Sequence, residues 1–224
     1  MEQSIHATKH YLGRHVEVAR WLPSPLPVDS RKLVVVGSYD FTSERSALDV
    51  LALSSARQVE HHGFTSEQPA ELDSLGSWEH PGRVTALHVS TIADERSLVI
   101  SSSSTGSFCF RVADSRQLMD SAFDRHTSSG CLTAVHKGTI AAIDYHDESQ
   151  ECLTAGDDGM INIVNLATSE PQPVLLVNSS GTLSFSAVRW TSPTEFVTAS
   201  CGGGLQWWDK KAPLKPVLRS PIRW

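Results

Sequence analysis

The segment from 136 to 166 constrains the fold of this chain more than any other. It holds three apolar-rich runs, separated by the polar turn 147–149 and by the turn 156–159 of sequence Gly-Asp-Asp-Gly. Apolar and polar residues alternate in the first and third runs, which is the pattern of a half-buried β-strand. Asp-Gly tolerates the positive φ that a tight hairpin needs. The segment therefore predicts three antiparallel strands, and the apolar run 173–178 predicts a fourth.

The same unit recurs on both sides of this segment. The turn glycine appears as Gly106, Gly159 and Gly203, each time between two strand-like runs. His80 and His136 each begin the pattern His-x-Gly-x-[Val/Ile]-x-Ala-[Leu/Ile]. A unit repeated at this spacing indicates stacked or ring-forming blades, because one small sheet cannot bury both of its faces alone. We expect the two histidines to hydrogen-bond within their own blades rather than to bind a metal.

The third strand of the last unit ends in Trp208-Asp209. A glycine turn followed by a strand ending in Trp-Asp, with a His/Gly element before the first strand, resembles the WD40 repeat. The other two units depart from this pattern, with Arg111-Val112 and Val164-Asn165 in place of Trp-Asp. The resemblance implies an all-β, WD40-type β-propeller over 16–219 with about four blades, at 16–62, 83–123, 139–178 and 183–219.

The segments outside these blades are expected to be irregular. We predict an N-terminal tail at 1–15, an inter-blade loop at 63–79 and a C-terminal end at 220–224. WD40-type rings usually have seven blades, so four blades imply an incomplete ring. We therefore expect this chain to be the N-terminal part of a longer protein, with an apolar face exposed on blade four.

The composition and motifs favour no catalytic chemistry. The net charge of -6 disfavours direct nucleic-acid binding, and no apolar run is long enough to span a membrane. Asp158, beside Asp157, is predicted to form a hairpin turn rather than an acid–base pair. The sequence has no Gly-x-Ser-x-Gly elbow, P-loop or His-Glu-x-x-His motif. We predict no enzyme activity, no cofactor and no metal.

The four cysteines show no metal-ligand spacing. They stand at Cys109, Cys131, Cys152 and Cys201, without a Cys-x-x-Cys pair. Cys109, Cys152 and Cys201 fall within predicted strands. Free buried thiols in a reducing compartment fit this arrangement better than disulfides or a metal site.

Three local strings resemble one particular family. They are the Trp-Leu-Pro-Ser-Pro-Leu-Pro run at 21–27 before a strand ending Val-Gly-Ser-Tyr-Asp at 40, Ser-Ser-Ser-Thr-Gly at 102–106, and Leu-Thr-Ala-Gly-Asp-Asp-Gly-Met-Ile-Asn-Ile at 153–163. In this order they resemble the small WD40 nucleoporin of the Y-shaped outer-ring complex of the nuclear pore. The resemblance implies a scaffold that docks on other outer-ring nucleoporins at the nuclear envelope, without membrane insertion, and supports transport of mRNA and protein. The alternative is a WD40 adaptor of another complex, such as a ubiquitin-ligase substrate receptor or a chromatin-complex subunit.

Overall fold

Four small antiparallel sheets make up most of the described chain. The computed structural model describes residues 12–23, 31–54, 57–61, 64–68, 70–92, 96–114, 118, 128–179, 183–202, 204–212 and 215–220. These residues form four four-stranded sheets and one separate two-stranded hairpin. The predicted all-β, WD40-type propeller fold with about four blades is therefore confirmed. The predicted repeat position Gly203 lies outside the described residues, as do 1–11 and 221–224.

Blade one contains the main difference from the sequence prediction. The first six strands are β1 His15–Trp21, β2 Arg31–Asp40, β3 Arg45–Ser54, β4 Arg57–His61, β5 Phe64–Gln68 and β6 Leu72–His80. The blade has the order β1-β2-β3-β6, whereas β4 pairs with β5 in the separate hairpin. The predicted loop at 63–79 and the predicted end of blade one at 62 are thus wrong, because the outer strand of this blade is β6. An outer strand faces solvent on one side, so the polar residues of β6 gave it the appearance of a loop.

The remaining three blades follow the chain in order. Blade two contains β7 Val84–Thr91, β8 Arg96–Ser103, β9 Phe108–Asp114 and β10 Ser128–Leu132. Blade three contains β11 Ile140–His146, β12 Glu151–Gly156, β13 Met160–Asn165 and β14 Pro173–Asn178. Blade four contains β15 Phe185–Ser192, β16 Glu195–Ser200, β17 Gly204–Asp209 and β18 Leu218–Ser220. In each of these blades, strands adjacent in sequence pair as neighbours, and β10, β14 and β18 form the outer edges.

The outer strand of blade two changes the interpretation of two cysteines. We predicted that this blade ends near 123, but its fourth strand is β10, which pairs with β9. The pairing places Cys131 directly opposite Cys109, and the structure joins them by a disulfide. The prediction of free thiols is therefore wrong for this pair. Cys152 is a buried free thiol, as expected, whereas the free Cys201 is exposed.

The hydrophobic core lies between the blades rather than within them. Three apolar clusters each join two successive blades. The cluster between blades one and two includes Val35, Val50, Val84 and Leu87. The cluster between blades two and three includes Ile100, Phe108, Ile140 and Val164, and the cluster between blades three and four includes Leu153, Ile163, Phe185 and Phe196. Each blade therefore depends on its neighbour for burial, as the repeat predicted.

Polar contacts add to this packing between successive blades. The Arg83 guanidinium of blade two contacts the Glu17 carboxylate of blade one at 2.5 Å. In blade three, Asp144 accepts hydrogen bonds from the Arg189 side chain at 2.6 Å and from the Trp190 amide at 2.7 Å, both in blade four. Because Asp144 is only 6% exposed, these contacts satisfy a charge that would otherwise be costly to bury.

Candidate functional site

His136 lies at the centre of a buried polar network in blade three. Its ring is buried beside the β12–β13 hairpin of blade three. The Nδ1 atom lies 2.9 Å from Asp158 Oδ1, and Nε2 lies 2.8 Å from Thr154 Oγ1 and 3.1 Å from Asn162 Nδ2. A carboxylate only accepts and an amide nitrogen only donates, so the ring proton belongs on Nδ1. One imidazole thus fastens the segment before β11 to the two strands that follow it.

Asp158 completes this network at the hairpin turn. It accepts hydrogen bonds from the Met160 amide at 3.0 Å and from the Lys137 amide at 3.0 Å, in addition to the His136 ring. Burial acts to raise the pKa of Asp158, but hydrogen bonds from His136 and Lys137 outweigh it, so the pKa lies below the ordinary value. Gly159 follows with a φ of 76°, the left-handed conformation that this turn requires. Asp158 therefore has the geometry of a turn-former whose oxygens are fully engaged.

His80 occupies the equivalent place in blade two. Its Nδ1 lies 2.8 Å from the Gly82 carbonyl oxygen, and its Nε2 lies 3.0 Å from Ser101 Oγ. Burial lowers the pKa of His80 and outweighs the hydrogen bond with Gly82, which acts to raise it, while nearby Arg111 acts in the same direction as burial. The turn residue equivalent to Asp158 is Thr105 here, so the two hydrogen-bond partners described for this histidine include no carboxylate.

In blade four, the predicted repeat residues that the structure describes are the Trp208-Asp209 pair at the end of the third strand. The Trp208 indole donates from Nε1 to Thr198 Oγ1 at 2.9 Å, and both residues are buried. Asp209 follows on the strand and accepts a hydrogen bond from the Lys211 amide at 2.8 Å, which closes the turn after β17. Asn165 caps the equivalent turn of blade three through the Ala167 amide. The structure thus distributes the predicted repeat residues over three blades rather than bringing them together in one site.

These side chains converge on hydroxyl residues that were not predicted from the sequence. Ser101, Thr154 and Thr198 stand at the same position of the second strand of their blades, and all three are buried. The signal was present in the strings Val-Ile-Ser-Ser-Ser, Cys-Leu-Thr-Ala-Gly and Phe-Val-Thr-Ala-Ser, each with a hydroxyl at the third place. Single serines and threonines are common in strands, so only the alignment of the three second strands reveals this position.

These networks leave few groups for chemistry. The His136 and Asp158 polar atoms are engaged within blade three, and neither residue lines a described pocket. Within the described residues, no three His, Cys, Asp or Glu side chains are grouped so that they could hold a metal ion. The same residues include no helix with the length and apolar character needed to cross a bilayer. The arrangement can orient hairpins and blade surfaces.

The described residues include, among other exposed surfaces, two places where another molecule could bind. The first is Phe41, which is 66% exposed in the turn between β2 and β3 and packs edge-on against Tyr39, with ring centroids 4.9 Å apart. The second combines a cleft between blades two and three with the neighbouring outer strand β14. Phe110 and Leu166 line this cleft from opposite blades. Exposed apolar groups of this kind often mark protein-binding surfaces.

Comparison with known proteins supports the expected resemblance. No family model matches the chain. The chain is 28% identical over 229 aligned positions to Nuclear pore complex protein NUP43 of Arabidopsis thaliana. The alignment covers 100% of this chain but 60% of the relative, so the chain spans about three fifths of the length of that protein. The resemblance to a small WD40 nucleoporin is therefore confirmed.

Proposed function

We propose that this chain is a non-enzymatic scaffold protein and a structural component of the outer ring of the nuclear pore. In this role it docks on other nucleoporins of the Y-shaped complex at the nuclear envelope. By helping to build the ring, it supports the transport of mRNA and protein between nucleus and cytoplasm. The observation that carries the proposal is that the whole of this chain aligns, at 28% identity, with 60% of a nuclear pore complex protein.

The physical properties of the fold suit a scaffold. Three apolar clusters and the ion pairs between blades hold the sheets together, so the chain can present its surfaces with little rearrangement. The buried histidine networks serve the hairpins, and no described pocket brings His136 and Asp158 to a substrate. A rigid body with exposed apolar groups is adapted to binding other proteins.

The test is affinity purification of the tagged chain from its own cells, with the co-purified proteins identified by mass spectrometry. We expect outer-ring nucleoporins to be enriched over a purification with an unrelated propeller that carries the same tag. A fluorescent fusion should also give a signal at the nuclear rim. Recovery of cullin-complex or chromatin subunits instead would overturn the proposal and favour another WD40 adaptor.

A further inference from the structure

The outer strand of blade three differs from the other outer strands of the propeller. Strand β14 has the sequence Pro-Val-Leu-Leu-Val-Asn and carries no charge. By contrast, β6 contains Asp73 and Glu79, β18 is three residues long and contains Arg219, and β10 is five residues long and includes a glycine. Charged side chains and short length are the usual means by which edge strands avoid pairing with other chains. Strand β14 has six residues and no charge, and its protection is limited to a proline at its first residue, Pro173, and a register shift at Leu176.

Two large aliphatic side chains of β14 are exposed, one on each face of the sheet. Val174 is 58% exposed and Leu175 is 50% exposed. Leu175 lies opposite Asn162, which shares its face with Val164 of the core between blades two and three. Val174 lies opposite Ile163, whose side chain belongs to the core between blades three and four. Leu175 therefore projects on the blade-two side and Val174 on the blade-four side.

The cleft between blades two and three begins next to this edge. Its apolar lining consists of Ile92, Leu98, Phe110, Val112, Leu166 and Pro171. Pro171 lies two positions before β14 begins at Pro173, on the same chain segment. A segment that paired with β14 would therefore have this cleft, whose lining also includes Arg96 and Gln150, beside its end on the Leu175 side.

We propose that β14 is a docking edge to which an extended, uncharged segment of a partner protein adds as a fifth strand. The outer side of β14 has no neighbouring strand within the described chain, so the backbone of 173–177 can pair with such a segment. Successive large apolar side chains of the segment would pack on Val174 and Leu175, and one would enter the cleft. The proposal rests on the scaffold function only in requiring a partner protein.

The size of the edge favours a flexible segment over a second copy of this chain. The strand has six residues, so two rigid copies joined edge to edge would touch along only about 20 Å. Such a contact falls short of the roughly 800 Å² per partner that stable interfaces between folded proteins bury. A flexible segment can pair along the strand and then also fill the cleft.

The test selects short random peptides, displayed on phage, on the immobilised folded chain. We expect the enriched peptides to carry successive large apolar residues and no charge at their centre. Binding of such a peptide should slow amide hydrogen exchange within 173–178. The Leu175→Lys variant should weaken peptide binding by about tenfold or more, because a charge at the edge opposes strand pairing and burial.

Two further variants keep the test interpretable. Leu175→Thr retains a strand-forming residue without a charge, and it should also weaken binding if the apolar contact matters. Leu218→Lys is the matched control, because Leu218 is 58% exposed on the outer strand of blade four, and it should bind like the unchanged chain. Unchanged circular dichroism would show that each variant is folded.

Three results would overturn the proposal. They are the absence of any peptide whose affinity depends on Leu175, protection from exchange outside 173–178, and a dimer of the chain that Leu175→Lys dissociates. The experiment uses no nucleoporin, so its failure would leave the proposed function standing. Equally, the loss of nucleoporins from the cellular purification would not affect the peptide result.

Discussion

At the scale of single residues, the buried polar groups are specific to each blade. The ring of His136 hydrogen-bonds with Asp158, Thr154 and Asn162, whereas the ring of His80 hydrogen-bonds with one backbone carbonyl and one serine. A buried polar group costs free energy unless it is hydrogen-bonded, so each partner of His136 helps to make its burial possible. The strength of each hairpin therefore depends on the partners that its blade supplies.

Replacing His136 should destabilise the chain strongly. His136→Ala leaves the Asp158 carboxylate, with a side chain only 8% exposed, without its imidazole partner and creates a small cavity. We expect the free energy of unfolding to fall by about 2–4 kcal/mol, measured by urea denaturation. His15→Ala is the control, since the His15 side chain is 49% exposed, and it should change stability by no more than about 0.5 kcal/mol. Equal effects of the two changes would show that the network contributes nothing specific.

The buried histidines should make stability depend on pH. Burial lowers the pKa of His80 and of His88 below 6.5, although Asp144 and Asp147 act to raise that of His88. The unfolded chain then takes up protons first, so this stability is fully present above pH 6.5 and is lost as pH falls towards the lowered values. Urea midpoints should therefore decrease between about pH 7 and pH 5, and His80→Gln should reduce that decrease.

A second pH window belongs to Asp158 and is separate from the histidine effect. Its pKa lies below 3.8 in the folded chain. Its contribution to the free energy of unfolding is therefore present above that pH and disappears only in stronger acid. If the decrease between about pH 7 and pH 5 were undiminished in His80→Gln and also in His88→Gln, the buried imidazoles would not be its cause.

At the scale of strands and turns, the sequence is most informative where backbone geometry restricts the residue type. Gly106 and Gly159 mark hairpins because both adopt a φ of 76°, which few other residues tolerate. Strand β6 was missed because Asp73, Ser74 and Ser77 face solvent, and a polar solvent face resembles a loop when the paired face is unknown. The Cys109–Cys131 disulfide was missed for the same reason, since it depends on the pairing of β10 with β9. Pairing between distant strands is a tertiary property that local patterning does not encode.

The turn at Gly106 should tolerate no side chain, because it contacts the start of blade three. The Gly106 carbonyl accepts hydrogen bonds from the amides of Val135 at 2.9 Å and His136 at 3.2 Å. A Cβ at this position would also lie 2.9 Å from the Gly138 carbonyl oxygen and would clash with that of His136. Gly106→Ala should therefore lower the free energy of unfolding by about 3 kcal/mol, from backbone strain and steric overlap together.

Gly202 provides a matched control for this change. It has a similar φ of 78°, but a Cβ there would meet nothing within 4 Å. Gly202→Ala should thus cost only the backbone strain, about 1 kcal/mol. Thermal and urea unfolding of the two variants would separate the cost of backbone strain from the cost of steric overlap. An equal loss of unfolding free energy in both variants would contradict a steric role for the contact with His136.

At the scale of the whole molecule, stability should differ between blades three and four. In blade three, five of the six residues of β12 and the four central residues of β13 are buried, so both faces of this sheet are covered. In blade four, buried and more exposed residues alternate along β16 and β17, so only the face towards blade three is covered. Val197, Trp207 and Leu218 share the other face, because they lie directly opposite one another across the strands.

Hydrogen exchange measured by mass spectrometry or NMR should reveal this difference. We expect amides of β16 and β17 to exchange at least about tenfold faster than those of β12 and β13, because a sheet packed on one face opens at lower cost. Strand β8 of blade two, where seven of eight residues are buried, is an internal control and should resemble blade three. Equal protection in all three blades would mean that the chain opens only as one cooperative unit. In that case, packing on a single face would already be enough to give blade four the stability of blades two and three.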